Sequence, residues 1–191
     1  SFKKILSRVS EFYKNNKNDI EQQNINVLNV FTQIGNSNSS KKSIDVTSID
    51  KLKKQLNDIT DIINGGFGSS PKFPHFPSLS FLIAYSETES EISKIKHTLD
   101  RMCVSGINDI IDGGFYRYTV DDLLMIPHFE KMLYDNGPMM SVLCDANIRF
   151  SDNFYLTNAL SIYEWVNEFM THKDGVFYSS MDADSDGAEG K

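Results

Sequence analysis

The sequence predicts an all-α chain built from helical hairpins whose loops gather on one face. Two observations carry this. Apolar residues recur at steps of three and four along most of the 191 residues, the spacing of one buried stripe on an amphipathic helix. Between the stripes, a loop of the form Asp/Asn-Gly-x-Phe occurs three times: "NGGFGSSPKFP" at 64, "DGGFYRYTVD" at 112 and "DGVFYSSMDAD" at 174. Glycine just past a helix is the ordinary left-handed stop. An aromatic at a fixed offset behind it is less ordinary. It implies loops that fold back over the same end of stacked helix pairs, as in a helical solenoid or toroid.

Taken in order, residues 2–23 read as a weakly amphipathic helix through Phe2, Ile5, Leu6, Val9, Phe12 and Tyr13. "GNSNSSKKS", from Gly35 to Ser43, is a solvated linker by composition. A helix through Ile49, Leu52, Leu56, Ile59 and Ile63 follows, then a short one from Ser78 to Tyr85. Ile92, Ile95, Leu99, Met102 and Cys103 form the next stripe, continued by Ile107, Ile110 and Ile111. Pro127 is placed to open another helix, since a missing N–H is harmless in a first turn. Phe129, Met132 and Leu133 would be its buried side, followed by Met139, Val142, Leu143 and Ala146. The last stripe runs from Phe154 to Met170. About six helices, or three hairpins, are expected, with a division into 1–46 (N-terminal helix and linker) and 47–191 (helical hairpins).

Composition narrows the function. The net charge of −7 is uneven: residues 1–64 hold ten Lys/Arg and seven Asp/Glu, residues 65–191 nine and nineteen. An acidic body argues against a phosphate-backbone partner, so no nucleic-acid role is expected. No run approaches the ~18 apolar residues of a membrane span, and no basic-then-apolar opening marks a signal peptide. Ser1, without a methionine, hints at a true N-terminus further upstream. Cys103 and Cys144, far apart in helical segments, read as reduced thiols of a cytoplasm-like compartment. Two cysteines make no zinc site unaided. There is no phosphate-cradling loop, nucleophile elbow or CxxC, and no cofactor or metal is expected.

The densest chemical constellation is "TVDDLLMIPHFEKMLYDN", residues 119–136. On a helix opened by Pro127, His128, Lys131 and Asp135 would share a face. The positive end of that helix would favour a neutral imidazole able to take and return a proton. Glu130 would point elsewhere, towards a neighbouring helix or Arg117. Alternatively, His128 and Asp135 are structural, bonded to nearby backbone. His75, behind "PKFP", is either a second acid/base group or a surface histidine. Tyr116, Arg117, Tyr118 and Asp121 mix aromatic faces with hydrogen-bonding groups, which suits a carbohydrate; equally, Arg117 could simply hold Asp121 or Glu130. Phe67 and Lys72 of the first loop join the substrate-binding set. "DADSDG", 182–187, matches the first six places of a calcium loop, but the extended look of "GVFYSS" before it argues against a helix–loop–helix. Asp182 and Asp184 therefore read as part of an acidic substrate-facing loop, or Asp184 or Asp186 as a helix cap.

"GGFGSSPKFP", "GGFYRYTVD", "IPHFEKMLYDN" and "FYSSMDADSDGAEGK" closely resemble, in this order and spacing, a family with a thioredoxin-like domain followed by a helical toroid. A spermatogenesis-associated thioredoxin-domain protein belongs to that family. The resemblance covers roughly residues 50–191 and implies part of an (α/α)6 six-hairpin toroid like that of N-acylglucosamine 2-epimerase. It places the motifs at the toroid's mouth, and a thioredoxin-like domain before Ser1. The reading that follows is a carbohydrate-active toroid doing epimerase- or isomerase-like proton transfer through His128, His75, Glu130 and Asp135. The alternatives are a non-catalytic scaffold, or sugar- or protein-binding module, that serves the thioredoxin-like domain, or a glycosidase-like hydrolase using paired carboxylates from Asp121, Asp122, Glu130 and Asp135. A half-toroid is also expected to self-associate through its uncovered helix faces.

Overall fold

The computed structural model describes residues 2–35 and 46–189. It falls into two units, Ser1–Asp45 and Val46–Lys191. Seven helices occur among the described residues, with four two-residue strands. The linker expected at 36–43 lies outside the described residues, and Gly35 closes the second helix.

The first unit is α1 (Phe2–Asn15) and α2 (Lys17–Gly35), so helical structure runs well past residue 23. Asn16 interrupts them, yet its N–H donates to the Phe12 carbonyl and its own carbonyl accepts from Ile20 N–H, both at helical spacing. The apolar residues of both helices are uncovered: Phe2 is 74% exposed, Phe31 66% and Ile34 65%. No helix among the described residues is long and apolar enough to cross a membrane.

The second unit holds α3 (Val46–Asp58), α4 (Phe76–Tyr85), α5 (Glu89–Val104), α6 (Leu133–Phe150) and α7 (Asn153–Phe169). Local chemistry explains most ends. Thr88 and Glu91 form a reciprocal capping box at the start of α5. Asp152 accepts from Phe154 N–H to start α7. Pro77 sits in the first turn of α4. The core takes Leu79, Leu82 and Ile83 from α4, Ile95, Leu99 and Met102 from α5, Met139, Val142 and Leu143 from α6, and Tyr155 and Ile162 from α7. Trp165 is also fully buried.

Two helices end earlier than their apolar pattern. α3 stops at Asp58 and α5 at Val104, leaving Ile62, Ile63, Ile110 and Ile111 in turns, exposed by 65–87%. The expected helix from Pro127 does not form. Residues 117–130 fold back on themselves instead: His128 N–H donates to the Tyr118 carbonyl and Arg117 N–H to the Glu130 carbonyl. Lys131–Met132 then makes strand β1, and the helix begins at Leu133.

The three glycine-aromatic loops do meet at one end. Lys72 and Thr119 exchange backbone hydrogen bonds of 2.9 and 3.0 Å, joining loop one to loop two. β1 pairs antiparallel with β2 (Ser180–Met181), joining loop two to loop three. α3, α5 and α7 therefore run towards this laced end, and α4 and α6 both start from it. The remaining strands, β3 (Asp184–Ser185) and β4 (Ala188–Glu189), form a hairpin. Asp186 and Gly187, both at positive φ, make its two-residue turn. "DADSDG" is thus a β-hairpin and not a helix cap; among the described residues no group of three His, Cys, Asp or Glu is placed to hold a metal ion.

Gly114 is one of the positions that require glycine. Its φ is +80°, and a Cβ there would lie 2.8 Å from the Trp165 ring. Gly175 has the same backbone (φ +82°) with open space around it. Gly175→Ala should therefore cost about 1 kcal/mol of stability from backbone strain alone. Gly114→Ala should cost about 2 kcal/mol more, because the indole cannot retreat in a packed core. Thermal denaturation of both variants followed by circular dichroism checks the difference; equal melting temperatures would contradict it.

Candidate functional site

Two of the three loops are copies of one corner. "TDIINGGF" (60–67) and "NDIIDGGF" (108–115) each close on a bridge between first and last residues, Thr60 with Phe67 and Asn108 with Phe115. In each, the Asp carboxylate caps two N–H groups of its own turn: Asp61 those of Ile63 and Asn64, Asp109 those of Ile111 and Asp112. A buried lysine then reaches in from further along the chain. Lys72 Nζ donates to Asp61 and to the Gly65 carbonyl; Lys131 Nζ donates to Asp109 at 2.6 Å and to the Gly113 carbonyl at 2.8 Å. The Lys131 ammonium also lies 5.0 Å from the Tyr116 ring centre and 5.3 Å from that of Trp165.

Burial alone would raise the pKa of both carboxyls. The lysine and the turn N–H groups overrule it and hold Asp61 and Asp109 below the ordinary carboxylate range. Asp121 has a similar structural task. Against the upward push of burial, the N–H groups of Ile126, Met125 and Leu123 hold its pKa down, and they clamp the 121–126 turn. Its neighbour Asp122 accepts from Ser70 N–H in loop one.

The lock leads directly into α6. One residue past β1 the helix begins, and Asn136 ties its first turn to the corner: Asn136 Oδ1 accepts from Phe115 N–H at 2.6 Å, and Nδ2 donates to the Phe115 carbonyl at 2.9 Å. Asp135 is thereby turned towards α4. There, a cavity of about 410 Å³ opens between the first turns of the two helices. Phe76, Pro77 and Ser80 line it from α4; Tyr134, Asp135, Pro138 and Ser141 line it from α6. Pro138 has no N–H to give the Tyr134 carbonyl, so that oxygen lacks its usual helical donor.

Asp135 is the odd group in this cavity. It is 9% exposed, and its Oδ2 is buried and accepts no hydrogen bond. Burial pushes its pKa up to about 6; the Arg117 guanidinium pulls it down, and the Glu130 carboxylate adds to the rise. Arg117 is itself engaged, with Nη1 donating to Glu130 Oε2 at 3.0 Å. His128 Nε2 lies 4.0 Å from the same carboxylate oxygen. The His128 ring packs 4.9 Å from Tyr118, which packs 4.8 Å from Phe73.

The residues expected at the site are thus distributed over two kinds of place. Asp135, Glu130, Arg117, Tyr118 and His128 form one continuous polar and aromatic cluster beside the cavity. His128 is in extended chain, not in a helix, so the helix-end argument for its neutral form has no basis. Lys131 leaves the face it was to share with His128 and Asp135 and enters the lock. Phe67 and Lys72 are buried inside the first corner, Phe67 with His75 edge-on at 5.8 Å. His75 is exposed at the N-cap of α4, with φ +54°. Tyr116 donates to Asp109 at 3.1 Å, and burial, with that carboxylate, raises its pKa. Asp182 and Asp184 are exposed at the third loop, where Asp182 Oδ1 accepts from Asp184 N–H at 3.4 Å. The lining residues Phe76, Ser80, Tyr134 and Ser141 were not foreseen, although 134, 138 and 141 are spaced for one helix face. Nor were Asp61 and Asp109, although the two copies of "DIIxGGF" mark them.

No protein-family model matches the chain. It is 33% identical over 194 aligned residues to spermatogenesis-associated protein 20 of Rattus norvegicus and of Homo sapiens, covering 96% of this chain. This chain is a homologue of spermatogenesis-associated protein 20. It spans about a quarter of the length of those relatives (25%). Among solved structures, a cellobiose 2-epimerase from Spirochaeta thermophila matches with a TM-score of 0.58 at 18% identity, over 71% of this chain and 39% of that one. A sugar epimerase from a ruminal bacterium matches with a TM-score of 0.56 at 16% identity, over 70% and 40%. The fold is therefore part of an (α/α)6 toroid, as the loop repeat and the motifs led one to expect.

The corner locks make a stability prediction with a sign. A carboxyl whose pKa is depressed on folding stabilises the protein fully above the ordinary value near ~4, and that contribution is lost as pH falls through the depressed value. Melting temperature should accordingly drop steeply below about pH 4, and Asp109→Asn should flatten part of that fall. Lys131→Met leaves the Asp109 carboxylate without its cation and should cost about 3 kcal/mol at neutral pH. Denaturant titrations across pH read both; a pH-independent difference between wild type and Asp109→Asn would refute the lock.

Proposed function

We propose that the laced end of this half-toroid binds a carbohydrate-like small molecule and moves a proton on it, in the manner of an epimerase or isomerase. The observation that carries the reading is Asp135: a carboxyl oxygen buried without a donor, in a cavity at the start of two neighbouring helices. Native proteins rarely leave such a group unpaired without a bound water, ion or ligand to meet it. Aromatic and proline walls with two serine hydroxyls suit the apolar face and the hydroxyl edge of a sugar ring. The candidate proton-exchanging group is His128, outside the cavity lining and 4.0 Å from the Glu130 carboxylate that Arg117 holds. His75 stands at the N-cap of α4, next to Phe76 of the cavity wall, and is the candidate second acid/base group. The solved neighbours named as sugar epimerases supply the fold-level analogy. The glycosidase-like alternative loses two of its carboxylates, since Asp121 and Asp122 are committed to backbone N–H groups.

In the full-length polypeptide, His128→Ala should lower turnover of a converted sugar by on the order of 10²–10⁴. Its melting temperature should hardly move, because a half-exposed polar side chain contributes about 1 kcal/mol or less. Assaying the wild type and the variant against a panel of reducing sugars tests this. A large fall in melting temperature with unchanged turnover would make His128 structural.

A second reading has its own observation. The uncovered apolar residues of α1 and α2 fit a docking module, which would hold the thioredoxin-like domain of the same polypeptide or pair with another copy. The isolated chain should then sediment as an oligomer at micromolar concentration, and a clean monomer would count against it.

A further inference from the structure

We propose that the ligand group facing Asp135 is a cationic amine, so that the cavity selects an amine-bearing ring over neutral and anionic analogues. This rests on the carbohydrate reading only for the ring; the amine is argued from the cavity itself. Asp135 is the charged residue of the cavity lining, and the Arg117 guanidinium and Glu130 carboxylate act on it from outside that lining. Arg117 is spent on Glu130 at 3.0 Å. That leaves the Asp135 carboxylate as an excess negative charge, nine-tenths buried, with Oδ2 accepting nothing.

The other lining groups cannot correct this. Ser80 and Ser141 bring neutral hydroxyls, and Phe76, Pro77, Tyr134 and Pro138 bring rings. His128 stands by Glu130 and not among the cavity residues. A buried carboxylate without a partner is costly, and a charge-assisted hydrogen bond from an ammonium removes that cost more completely than a hydroxyl can. An anionic ligand would bring a second like charge against the same carboxylate. The raised pKa of Asp135 agrees: burial pushes it up, Arg117 only partly compensates, and Glu130 adds to the rise.

The Tyr134 carbonyl supports the same ligand. Pro138 denies it the usual helical N–H, which leaves a backbone acceptor on a lining residue next to Asp135. A primary ammonium carries three donors and can serve both oxygens. A ring hydroxyl has one.

Isothermal titration of the full-length polypeptide at pH 7 decides the matter, with D-glucosamine, D-glucose, N-acetyl-D-glucosamine, D-glucuronate and cyclohexylamine as probes. Glucosamine should bind at least about tenfold tighter than glucose, and glucuronate weakest. The preference should vanish in Asp135→Asn, whose melting temperature reports that it is folded. On the wild type, glucosamine affinity should fall as pH drops from 7 to 5, because protonating Asp135 removes the counter-charge. His128, Glu130 and Arg117 face the same region, so the Asn variant must lose this pH dependence for it to belong to Asp135. Equal or tighter binding of glucose or the N-acetyl sugar overturns the amine inference and leaves the carbohydrate reading standing. Cyclohexylamine binding that needs Asp135, with no sugar bound, overturns the carbohydrate reading and keeps the amine. No binding by any probe overturns both.

Discussion

An ammonium group taken out of water must recover nearly all of its hydration from fixed acceptors, and the laced end of this protein is arranged around that requirement. Lys72 is fully buried and Lys131 is 4% exposed. Each finds a carboxylate and a glycine carbonyl in the corner behind it. Those acceptors are available only because the corner is wound with glycines at positive φ, which turns the carbonyl of Gly65 or Gly113 towards the lysine. The carboxylate in turn caps the N–H groups of the same corner, so the turn and the ion pair presuppose one another. A lysine held at both ends of its side chain fixes the backbone it hangs from. Lys72 then pairs with Thr119, and Lys131 with Met181, and the loops are tied in series.

The same constraint places the candidate site. Lys131 is two residues before α6, so the lock sets where that helix starts, and Asn136 fixes its rotation by bonding Phe115. With Asn136 turned to the corner, Asp135 is carried about 100° round the helix to the α4 side. The contrast between the two carboxyls is informative. Asp109 accepts from Lys131, Tyr116 and two backbone N–H groups, while Asp135 has a buried oxygen that accepts nothing. One carboxylate is fully satisfied by the protein, and the other, beside a cavity, is not.

Much of the architecture was legible. The stripes of α4 and α7 gave helices near their observed limits, because those helices bury one face each. The meeting of the loops followed from the repeated glycine-aromatic pattern. The failures share a cause. Ile62, Ile63, Ile110, Ile111 and the stretch 127–132 carry helical spacing, but spacing records only where apolar residues fall and not which backbone groups are already bonded. At 61 and 109 an Asp side chain caps the turn and ends the helix; at 131 a lysine is drawn inwards. A local pattern cannot show that the lysine's partner lies 22 residues earlier. Asp135, by contrast, was picked for helical spacing with His128 that does not exist. It remains in the candidate site because it sits in the first turn of the helix that actually forms.

The third corner shows which parts of the motif are essential. His172 takes the place of the acid: its N–H donates to the Val176 carbonyl, its carbonyl accepts from Gly175 N–H, and its Nδ1 accepts from Asp174 N–H at 3.3 Å. The backbone path is kept, one residue shorter and with a single glycine at positive φ. The carboxylate that would hold an ammonium is gone. The aromatic behind it responds: Phe67 and Phe115 are 4% and 0% exposed, whereas Phe177 is 57% exposed. Glycine and hydrogen bonding therefore suffice to turn the chain. Packing the aromatic under the helix ends goes with the acid and the lysine, since the buried ion pair and the buried ring close the same corner. The phenylalanine of the repeat is thus a core residue where the lock exists and a surface residue where it does not.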